Sequence, residues 1–309
     1  MPNVLFAATD ARWVQYEAPL RTAFAEAGVD VDLRLDFPPE QVDYIVYAPN
    51  SPVQDFGPFT RLKAVLNLWA GVEKIVGNPT LNVPLARMVD PALTQGMVEW
   101  VTGHVLRHHL GIDAHIHAAP GTWNNTPPPV SWGRKVAILG FGELGQACAT
   151  SLIRLGFDVH GWSQSAKSVE AATCHHGQDG LTACLSDAEF VVLLLPDTPQ
   201  TEHVLNAHTL ALPARGAYLL NPGRGPLIDD AALIDALDAG QIAHATLDVF
   251  RIEPLPADDP YWHHPKVTVT PHIASETRAP WASKTIAENV RRGEAGEPFL
   301  YLVDRQRGY

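Results

Sequence analysis

Four charged side chains that could bind an anion or move a proton follow predicted strands in the second half of the chain. Arg224 lies in a glycine-flanked turn, and His272 ends the last predicted strand. Asp248 ends the strand before it, and Glu253 follows five residues later. In open α/β sheets, ligands bind outside the carboxyl ends of the strands. We therefore expect these side chains to converge near one ligand.

The glycine-rich turn earlier in the same half indicates what that ligand is. The strand KVAILG (135–140) runs directly into Gly140, Gly142 and Gly145 in GxGxxG spacing, and then into a helix. The first glycine permits the tight turn, the second lets the backbone approach a pyrophosphate, and the third lets the helix approach the strand. The helix N-terminus offers unpaired N–H groups to the phosphates. This context predicts a dinucleotide cofactor.

The end of the next strand bears on the choice between NADP(H) and NAD(H). The residues there are Trp162, Ser163, Gln164, Ser165 and Lys167. An acidic residue at this place would hold the ribose 2′-hydroxyl of NAD(H), and none is present. Two hydroxyls and a lysine suit a 2′-phosphate, so the sequence favours NADP(H). Arginine, which matches phosphate better than lysine, is absent, so NAD(H) remains possible.

Short apolar runs that alternate with longer helical or small-residue segments indicate the elements around these residues. This rhythm predicts an α/β fold with parallel sheets and helices on both faces. A long helix is predicted from about Thr94 to about His117, followed by a Pro- and Gly-rich connection over 121–133. The predicted strands are 4–9, 29–35, 44–49, 64–70, 135–140, 158–163, 189–195, 217–223, 244–250 and 267–272. Further helices are predicted before Gly28, over 227–241 and over about 281–292.

Composition excludes several classes of partner. The 309 residues include 34 acidic and 22 basic side chains, and the net charge of −12 argues against nucleic acid or an anionic membrane surface. The longest apolar stretches are too short to cross a bilayer. Three cysteines without CxxC spacing and a first segment without a basic n-region favour a cytoplasmic protein.

Two groups of histidines and cysteines invite a metal site, and neither has metal-binding spacing. The first is His104, His108 and His115 on the long predicted helix. The second is the run Cys174-His175-His176, which we interpret as a loop. No HExxH motif or further ligand group accompanies them, so we predict no metal.

At this point the sequence resembles the D-2-hydroxyacid dehydrogenase family, and within it the glyoxylate/hydroxypyruvate reductases. The likeness covers nearly the whole chain. It is carried by NLWAGVEKI (67–75), GFGELGQ (140–146), LLPDTPQTEHVLN (194–206), NPGRGPLIDDAALIDALDAG (221–240), LDVFRIEPLP (247–256), residues 264–280 and VDRQRGY (303–309).

The resemblance implies two Rossmann-like or flavodoxin-like domains with an active-site cleft between them, and a homodimer. The substrate-binding domain would comprise residues 1–93 and 276–309. The dinucleotide-binding domain would comprise residues 94–275. The implied cofactor-binding residues are Gly140, Gly142, Glu143, Leu144, Gly145, Trp162, Ser163, Gln164, Ser165, Lys167, Leu195, Pro196, Pro222, Gly223, Asp248, His272 and Ala274.

The resemblance also implies a catalytic set of Arg224, Glu253 and His272. Hydride would pass from the nicotinamide to a 2-oxoacid carbonyl, whose oxygen then needs a proton from an imidazolium. A carboxylate beside a histidine favours its charged form, which is the role implied for Glu253. Arg224 would bind the substrate carboxylate by paired hydrogen bonds. The backbone amides of Gly71 and Val72, within the substrate-binding segment Trp69, Ala70, Gly71 and Val72, would bind it as well.

The implied reaction is NADPH-dependent reduction of small 2-oxoacids such as glyoxylate and hydroxypyruvate. Trp69 stands where many relatives have a small residue, which would narrow the pocket and favour these small substrates. Gln164 stands where NADP-using relatives often have arginine. Two alternatives remain open at this stage. One is a dehydrogenase for a bulkier acid of the phenylpyruvate type, and the other is a non-catalytic, nucleotide-sensing protein of the corepressor kind.

Overall fold

The computed structural model describes residues 1–308, which divide into two compact units. Unit 1 comprises Met1–Leu93 and the segment that begins at Glu276, and unit 2 comprises Thr94–Ser275. Tyr309, the last residue of the family-like segment 303–309, lies outside the described residues.

Twelve strands and seven α-helices make up the described part of the chain. The strands are β1 (Asn3–Ala7), β2 (Asp32–Arg34), β3 (Tyr44–Tyr47), β4 (Ala64–Asn67), β5 (Leu85–Ala86), β6 (Lys135–Leu139), β7 (Asp158–Ser163), β8 (Thr173–His176), β9 (Phe190–Leu193), β10 (Ala217–Asn221), β11 (Ile242–Leu247) and β12 (Val267–Val269). The helices are α1 (Asp10–Glu26), α2 (Pro91–His109), α3 (Ile112–Ile116), α4 (Glu143–Arg154), α5 (Gly177–Leu185), α6 (Asp230–Asp238) and α7 (Ala279–Ala295).

Unit 1 is built on a five-stranded parallel sheet in the order β2-β1-β3-β4-β5. The strands β3 and β4 are buried along their whole length, as expected when both faces of a parallel sheet are covered. Tyr16 and Phe24 of α1 and Ile286 of α7 belong to the core on one face of this sheet. A second core cluster includes Ile45 and Val65, whose sequence neighbours in β3 and β4 belong to the first cluster.

Unit 2 is built on a seven-stranded sheet in the order β12-β11-β10-β9-β6-β7-β8, in which every pair is parallel. Val136 and Ile138 of β6 belong to one core cluster, while Ala137 and Leu139 belong to the other. Alternate side chains therefore enter the two layers that cover the sheet. Because all strands run the same way, their carboxyl ends lie along one edge of the sheet.

The predicted α/β fold class with two parallel sheets is confirmed. Each predicted strand is present, β7 with its predicted bounds and the others at shorter length. The long helix predicted over about 94–117 is instead two helices, α2 and α3. The break falls at Gly111, whose φ of 63° ends a right-handed helix. The interpretation of Cys174-His175-His176 as a loop is wrong, because these residues belong to β8. This edge strand pairs only with β7 and lacks an apolar pattern.

Three properties of the described residues bear on function. Among residues 1–308, no helix is long and apolar enough to span a bilayer. Over the same residues, no group of three or more histidine, cysteine, aspartate or glutamate side chains is arranged to hold a metal ion. Cys148, Cys174 and Cys184 are free thiols.

Candidate active site

The residues predicted to bind the cofactor or to act on the substrate in unit 2 all lie at or just past the carboxyl ends of strands, with Trp162 the next-to-last residue of β7. In the parallel sheet these ends share one edge, so the structure places the residues along it. Gly140–Gly145 follow β6, Ser163–Lys167 end or follow β7, Leu195 and Pro196 follow β9, Pro222–Arg224 follow β10, Asp248 and Glu253 follow β11, and His272 and Ala274 follow β12.

The glycine turn after β6 has the backbone geometry that close packing and a ligand require. Gly140 has a φ of 108°, and a Cβ there would lie 2.4 Å from the carbonyl carbon of Leu194. A Cβ on Gly145 would lie 2.0 Å from the carbonyl oxygen of Gly140. A Cβ on Gly142, in contrast, would meet nothing within 4 Å. Gly140 and Gly145 are therefore required by packing, while Gly142 leaves open space where a pyrophosphate would approach.

Helix α4 begins directly after Gly142, and no side-chain hydrogen bond caps the N-terminus of the helix. The first N–H groups of a helix lack intrahelical partners, and their positive end attracts anions. The Gln146 side chain donates to the Phe141 carbonyl oxygen at 3.0 Å and fixes the preceding turn. The residues present thus fit the phosphates of a dinucleotide.

The segment after β7 is polar and has no carboxylate between Ser163 and Ser168. The Ser163 hydroxyl donates to the Ser165 carbonyl oxygen at 2.8 Å, and the side chain of Lys167 is exposed. Trp162 is buried, and its indole N–H donates to the Gly177 carbonyl oxygen at 2.8 Å. The indole thereby ties β7 to the start of α5, and its predicted contact with the cofactor stays a prediction.

Arg224 is held in its turn by Asn221, a buried residue that the sequence analysis did not single out. The Asn221 side chain donates to the Arg224 carbonyl oxygen at 2.9 Å and accepts from the Gly223 N–H at 3.1 Å. Arg224 itself donates to the Gly223 carbonyl oxygen at 2.7 Å. A Cβ on Gly225 would lie 2.1 Å from the carbonyl carbon of Phe250, so the turn packs directly against the segment that follows β11.

Asp248 organises the turn that carries His272. Its carboxylate is 1% exposed and accepts the Thr270 hydroxyl at 2.5 Å. The same carboxylate accepts the backbone N–H groups of Ile273 and Ala274, each at 2.9 Å. His272, with a φ of 54°, donates its own N–H to the Asp248 carbonyl oxygen at 2.8 Å. A non-glycine residue rarely adopts this conformation because it costs free energy, and these hydrogen bonds offset that cost at His272.

His272 and Glu253 form an ion pair or hydrogen bond of 2.7 Å between Nδ1 and Oε2. The other carboxylate oxygen of Glu253 accepts the Phe250 N–H at 2.9 Å, which orients the carboxylate. The side chains of His272 and Glu253 are 50% and 35% exposed, respectively. Because the carboxylate takes Nδ1, Nε2 is the ring nitrogen available to a substrate.

The loop that carries Glu253 is anchored two residues earlier by Arg251. This guanidinium donates to Asp230 Oδ2 at 3.2 Å and to the Ile228 carbonyl oxygen at 3.1 Å. Tyr261 donates to the other oxygen of Asp230 at 2.9 Å. Burial, followed by the neighbouring charge of Asp230, raises the pKa of Tyr261 well above its ordinary value. The hydroxyl therefore remains a donor, and the loop is fixed from both ends.

The segment Trp69–Val72 follows β4 in unit 1. Trp69, Ala70 and Gly71 are half-buried and Val72 is buried, with Trp69 packed partly against the unit 1 core. The Trp69 carbonyl oxygen accepts the Met88 N–H at 3.0 Å. That this segment binds the substrate, and that Trp69 narrows a pocket, both stay predictions.

A family comparison agrees with this arrangement. Residues 103–274 match the model of the D-isomer specific 2-hydroxyacid dehydrogenase family, NAD binding domain. A curated relative, glyoxylate/hydroxypyruvate reductase A of Yersinia enterocolitica, is 36% identical over 279 residues, which cover 87% of this chain and 88% of the relative. The chain belongs to the D-isomer specific 2-hydroxyacid dehydrogenase family. The family resemblance in the sequence is thereby confirmed.

Solved structures of family members are similar over the whole chain. One is a D-isomer specific 2-hydroxyacid dehydrogenase from Xanthobacter autotrophicus Py2 in complex with NADPH and MES. It is 40% identical, covers 100% of this chain and 99% of its own, and superposes with a TM-score of 0.91. Another is an NADPH-dependent glyoxylate/hydroxypyruvate reductase from Sinorhizobium meliloti in complex with NADP and sulfate. It is 32% identical, covers 100% of both chains and has a TM-score of 0.85.

The chain is therefore an NAD(P)-dependent enzyme of the 2-hydroxyacid dehydrogenase type. Asn221 and Thr270, which support Arg224 and Asp248, are the site residues that sequence reasoning missed. One feature of the sequence could have indicated Asn221. A polar residue at the end of an otherwise apolar strand is positioned to hydrogen-bond the turn that follows the strand.

Proposed function

We propose that this protein reduces small 2-oxoacids, glyoxylate and hydroxypyruvate first, to the corresponding 2-hydroxyacids with NADPH. The observation that carries the proposal is the 2.7 Å contact between His272 and Glu253 at the sheet edge that also bears the glycine turn. A charge-supported imidazole beside a dinucleotide-binding turn is what a carbonyl reduction requires. The pair favours this reaction over a non-catalytic nucleotide sensor, because binding a nucleotide requires no proton donor.

The chemistry assigned to the chain is proton transfer and substrate orientation. When bound, the nicotinamide ring supplies the hydride. His272 gives the proton on Nε2 to the carbonyl oxygen of the substrate, while Glu253 at Nδ1 stabilises the imidazolium before transfer. Arg224 binds the substrate carboxylate through its paired N–H donors. The Asp248 carboxylate keeps the His272 turn fixed during the reaction.

The preference for NADPH over NADH rests on the segment after β7. Ser163, Ser165 and Lys167 offer hydroxyl donors and a positive charge, and no carboxylate there would repel a 2′-phosphate. The relatives from X. autotrophicus and S. meliloti bind NADPH and NADP, respectively. NADH is expected to serve as a weaker cofactor.

We place the enzyme in the cytoplasm as a homodimer. The three free cysteines support a reducing compartment, and burial raises the pKa of the Cys148 and Cys184 thiols to about 12. The connection before β6 exposes large apolar side chains, with Trp123 at 90% and Trp132 at 78%. Large apolar side chains exposed on one segment suit burial against a second copy of the chain. Multi-angle light scattering of the purified protein tests the dimer.

Steady-state oxidation of NADPH and of NADH, each with glyoxylate, hydroxypyruvate and phenylpyruvate, tests the function. We expect the highest kcat/KM for NADPH with the two small acids. Faster turnover of phenylpyruvate would replace the proposed substrate class with a bulkier one. Tight NADPH binding without turnover of any of the three would contradict the proposed reaction.

A further inference from the structure

Asn67 ends β4 in unit 1, two residues before Trp69 of the segment Trp69–Val72, and it is 1% exposed. Its Nδ2 group donates to the Trp69 carbonyl oxygen at 2.8 Å and to the Gly71 carbonyl oxygen at 3.0 Å. Both hydrogens of the amide are therefore used to hold the turn that follows its own strand.

These two bonds determine where the next amides point. Both peptide units concerned are trans, and in a trans peptide the C=O and the following N–H point in opposite directions. Since the carbonyls of Trp69 and Gly71 point at Asn67, the N–H groups of Ala70 and Val72 point away from it. Within residues 1–308, the N–H groups of Ala70, Gly71 and Val72 form no hydrogen bond. Three consecutive donors are thus left for a ligand, and such a group suits an anion.

The two carbonyls depend on Asn67 to different degrees. The Trp69 carbonyl oxygen also accepts the Met88 N–H at 3.0 Å, so it keeps a partner without Asn67. Among the described residues, the Gly71 carbonyl oxygen accepts only from Asn67. Asn67 therefore provides the only hydrogen bond in the described residues that fixes the peptide group between Gly71 and Val72.

The Oδ1 atom of Asn67 indicates that packing alone does not favour asparagine at this position. This atom is buried and has no hydrogen-bond partner among the described residues. A buried acceptor without a partner costs free energy, which an apolar side chain would not. Turning the amide over is no remedy, because Oδ1 would then face two carbonyl oxygens. The two donated bonds that fix the turn account for an amide at this position.

We propose that Asn67 is a positioning residue that aims the Ala70 and Val72 amides at the carboxylate of the substrate. The inference rests on the proposed function, because it takes a 2-oxoacid carboxylate as the anion. Asn67 itself contacts no substrate, and it acts through the backbone of the turn. The inference adds a residue to the predicted binding segment and distinguishes Val72 as the amide most dependent on it.

The test uses Asn67→Ala and the milder Asn67→Ser, with Asn289→Ala as the matched control. Asn289 is also a buried asparagine of unit 1, bonded through its amide to both backbone groups of Leu300. Oxalate, a planar dianion shaped like a 2-oxoacid, is titrated into each NADPH-saturated protein by calorimetry. The KM values for glyoxylate and NADPH and the thermal unfolding midpoints are measured on the same preparations.

We expect Asn67→Ala to raise the oxalate Kd and the glyoxylate KM at least about tenfold, with the NADPH KM unchanged. Asn289→Ala should lower the unfolding midpoint similarly and leave both values near those of the wild type. If Asn67→Ala does not fold, Asn67→Ser carries the same comparison. A folded variant with oxalate Kd within about twofold of the wild type would overturn the proposal. A wild type that binds oxalate but reduces no 2-oxoacid would overturn the proposed function and leave the Asn67 comparison valid.

Discussion

His272 and Asp248 are joined through the backbone, where the His272 N–H donates to the Asp248 carbonyl oxygen at 2.8 Å. The Asp248 carboxylate meanwhile receives the N–H groups of the two residues that follow His272. The histidine is therefore held from both sides of its own turn by one buried aspartate. This arrangement explains how a residue with a φ of 54° can keep a fixed place at the end of a strand.

Replacing Asp248 with asparagine should disturb this turn. The new amide cannot accept at both positions, so the N–H of Ile273 or of Ala274 loses its partner. We expect Asp248→Asn to lower kcat by about tenfold or more, because His272 is no longer aligned for proton transfer. Steady-state kinetics with glyoxylate measures the effect. The same change at Asp235, which is exposed on α6, should leave kcat unchanged, and an equal loss in both variants would contradict the assigned role.

Glu253→Gln tests the charge beside His272. Glutamine keeps an oxygen for the Phe250 N–H but removes the negative charge from the 2.7 Å contact. The imidazolium then loses its stabilising partner, so kcat for glyoxylate reduction should fall at least about tenfold, with the NADPH KM near that of the wild type. Steady-state kinetics measures both values, with Glu170→Gln as the exposed-site control. A kcat within about twofold of the wild type would contradict the role assigned to Glu253.

Gly142→Ala separates cofactor contact from packing. A methyl group at this position meets no protein atom within 4 Å, so the variant should fold with an unchanged unfolding midpoint. It would occupy the space into which the pyrophosphate must come, and we expect the NADPH KM to rise at least about tenfold. Gly103→Ala, another glycine with no atom within 4 Å of the added methyl, is the control. Unchanged NADPH binding in Gly142→Ala would mean that the cofactor lies elsewhere.

The general plan of the molecule and the charged residues of the site could be predicted from sequence, because both leave local signals. A buried parallel strand is an apolar run, and Gly140, Gly142 and Gly145 have a spacing that few other structures require. The supports could not be predicted in this way. Thr270 meets Asp248 only because β11 and β12 are neighbours in the sheet.

The errors in the fold have equally specific causes. The strand β8 was missed because its residues are polar and it pairs along one side only. The break between α2 and α3 depends on one residue, Gly111, inside a pattern that otherwise continues at helical spacing. Local composition cannot distinguish such a glycine from one that a helix tolerates.

A histidine pair in unit 2, in which His108 is buried and His244 half-buried, predicts a loss of stability in acid. His108 is 6% exposed, bonded to Thr246 Oγ1 at 3.0 Å, and its ring lies 5.1 Å from that of His244. Burial lowers the pKa of His108 to about 3, with a further contribution from His244 and from Arg107, against which Asp113 acts weakly. Burial also lowers the pKa of His244 to about 4. Both rings are therefore neutral in the folded protein at neutral pH.

The sign of the effect follows from the unfolded state, where a histidine has its ordinary pKa of about 6.5. Above that value the neutral rings contribute fully to stability. As the pH falls from about 6.5 towards 4, the unfolded chain takes up protons that the folded chain refuses, so the free energy of unfolding decreases. Each such histidine adds up to about 1.4 kcal/mol per pH unit to this slope.

Chemical denaturation across this pH range tests the histidine pair. His108→Gln should show a shallower slope than the wild type, while His115→Gln, at an exposed position of α3, should show the wild-type slope. Carboxylates that titrate in the same range contribute equally to all three proteins. An identical slope in His108→Gln would show that this ring is not kept neutral by the fold.

The most direct test of the account is the NADPH-dependent reduction of glyoxylate by His272→Gln, measured beside the wild type and the exposed-site control His263→Gln. The account predicts a fall in kcat of at least about a hundredfold in His272→Gln, because the variant lacks the assigned proton donor. NADPH affinity, measured by fluorescence titration, should stay near that of the wild type, as should every value for His263→Gln. Turnover by His272→Gln at the wild-type rate would contradict the assignment of His272 as the proton donor.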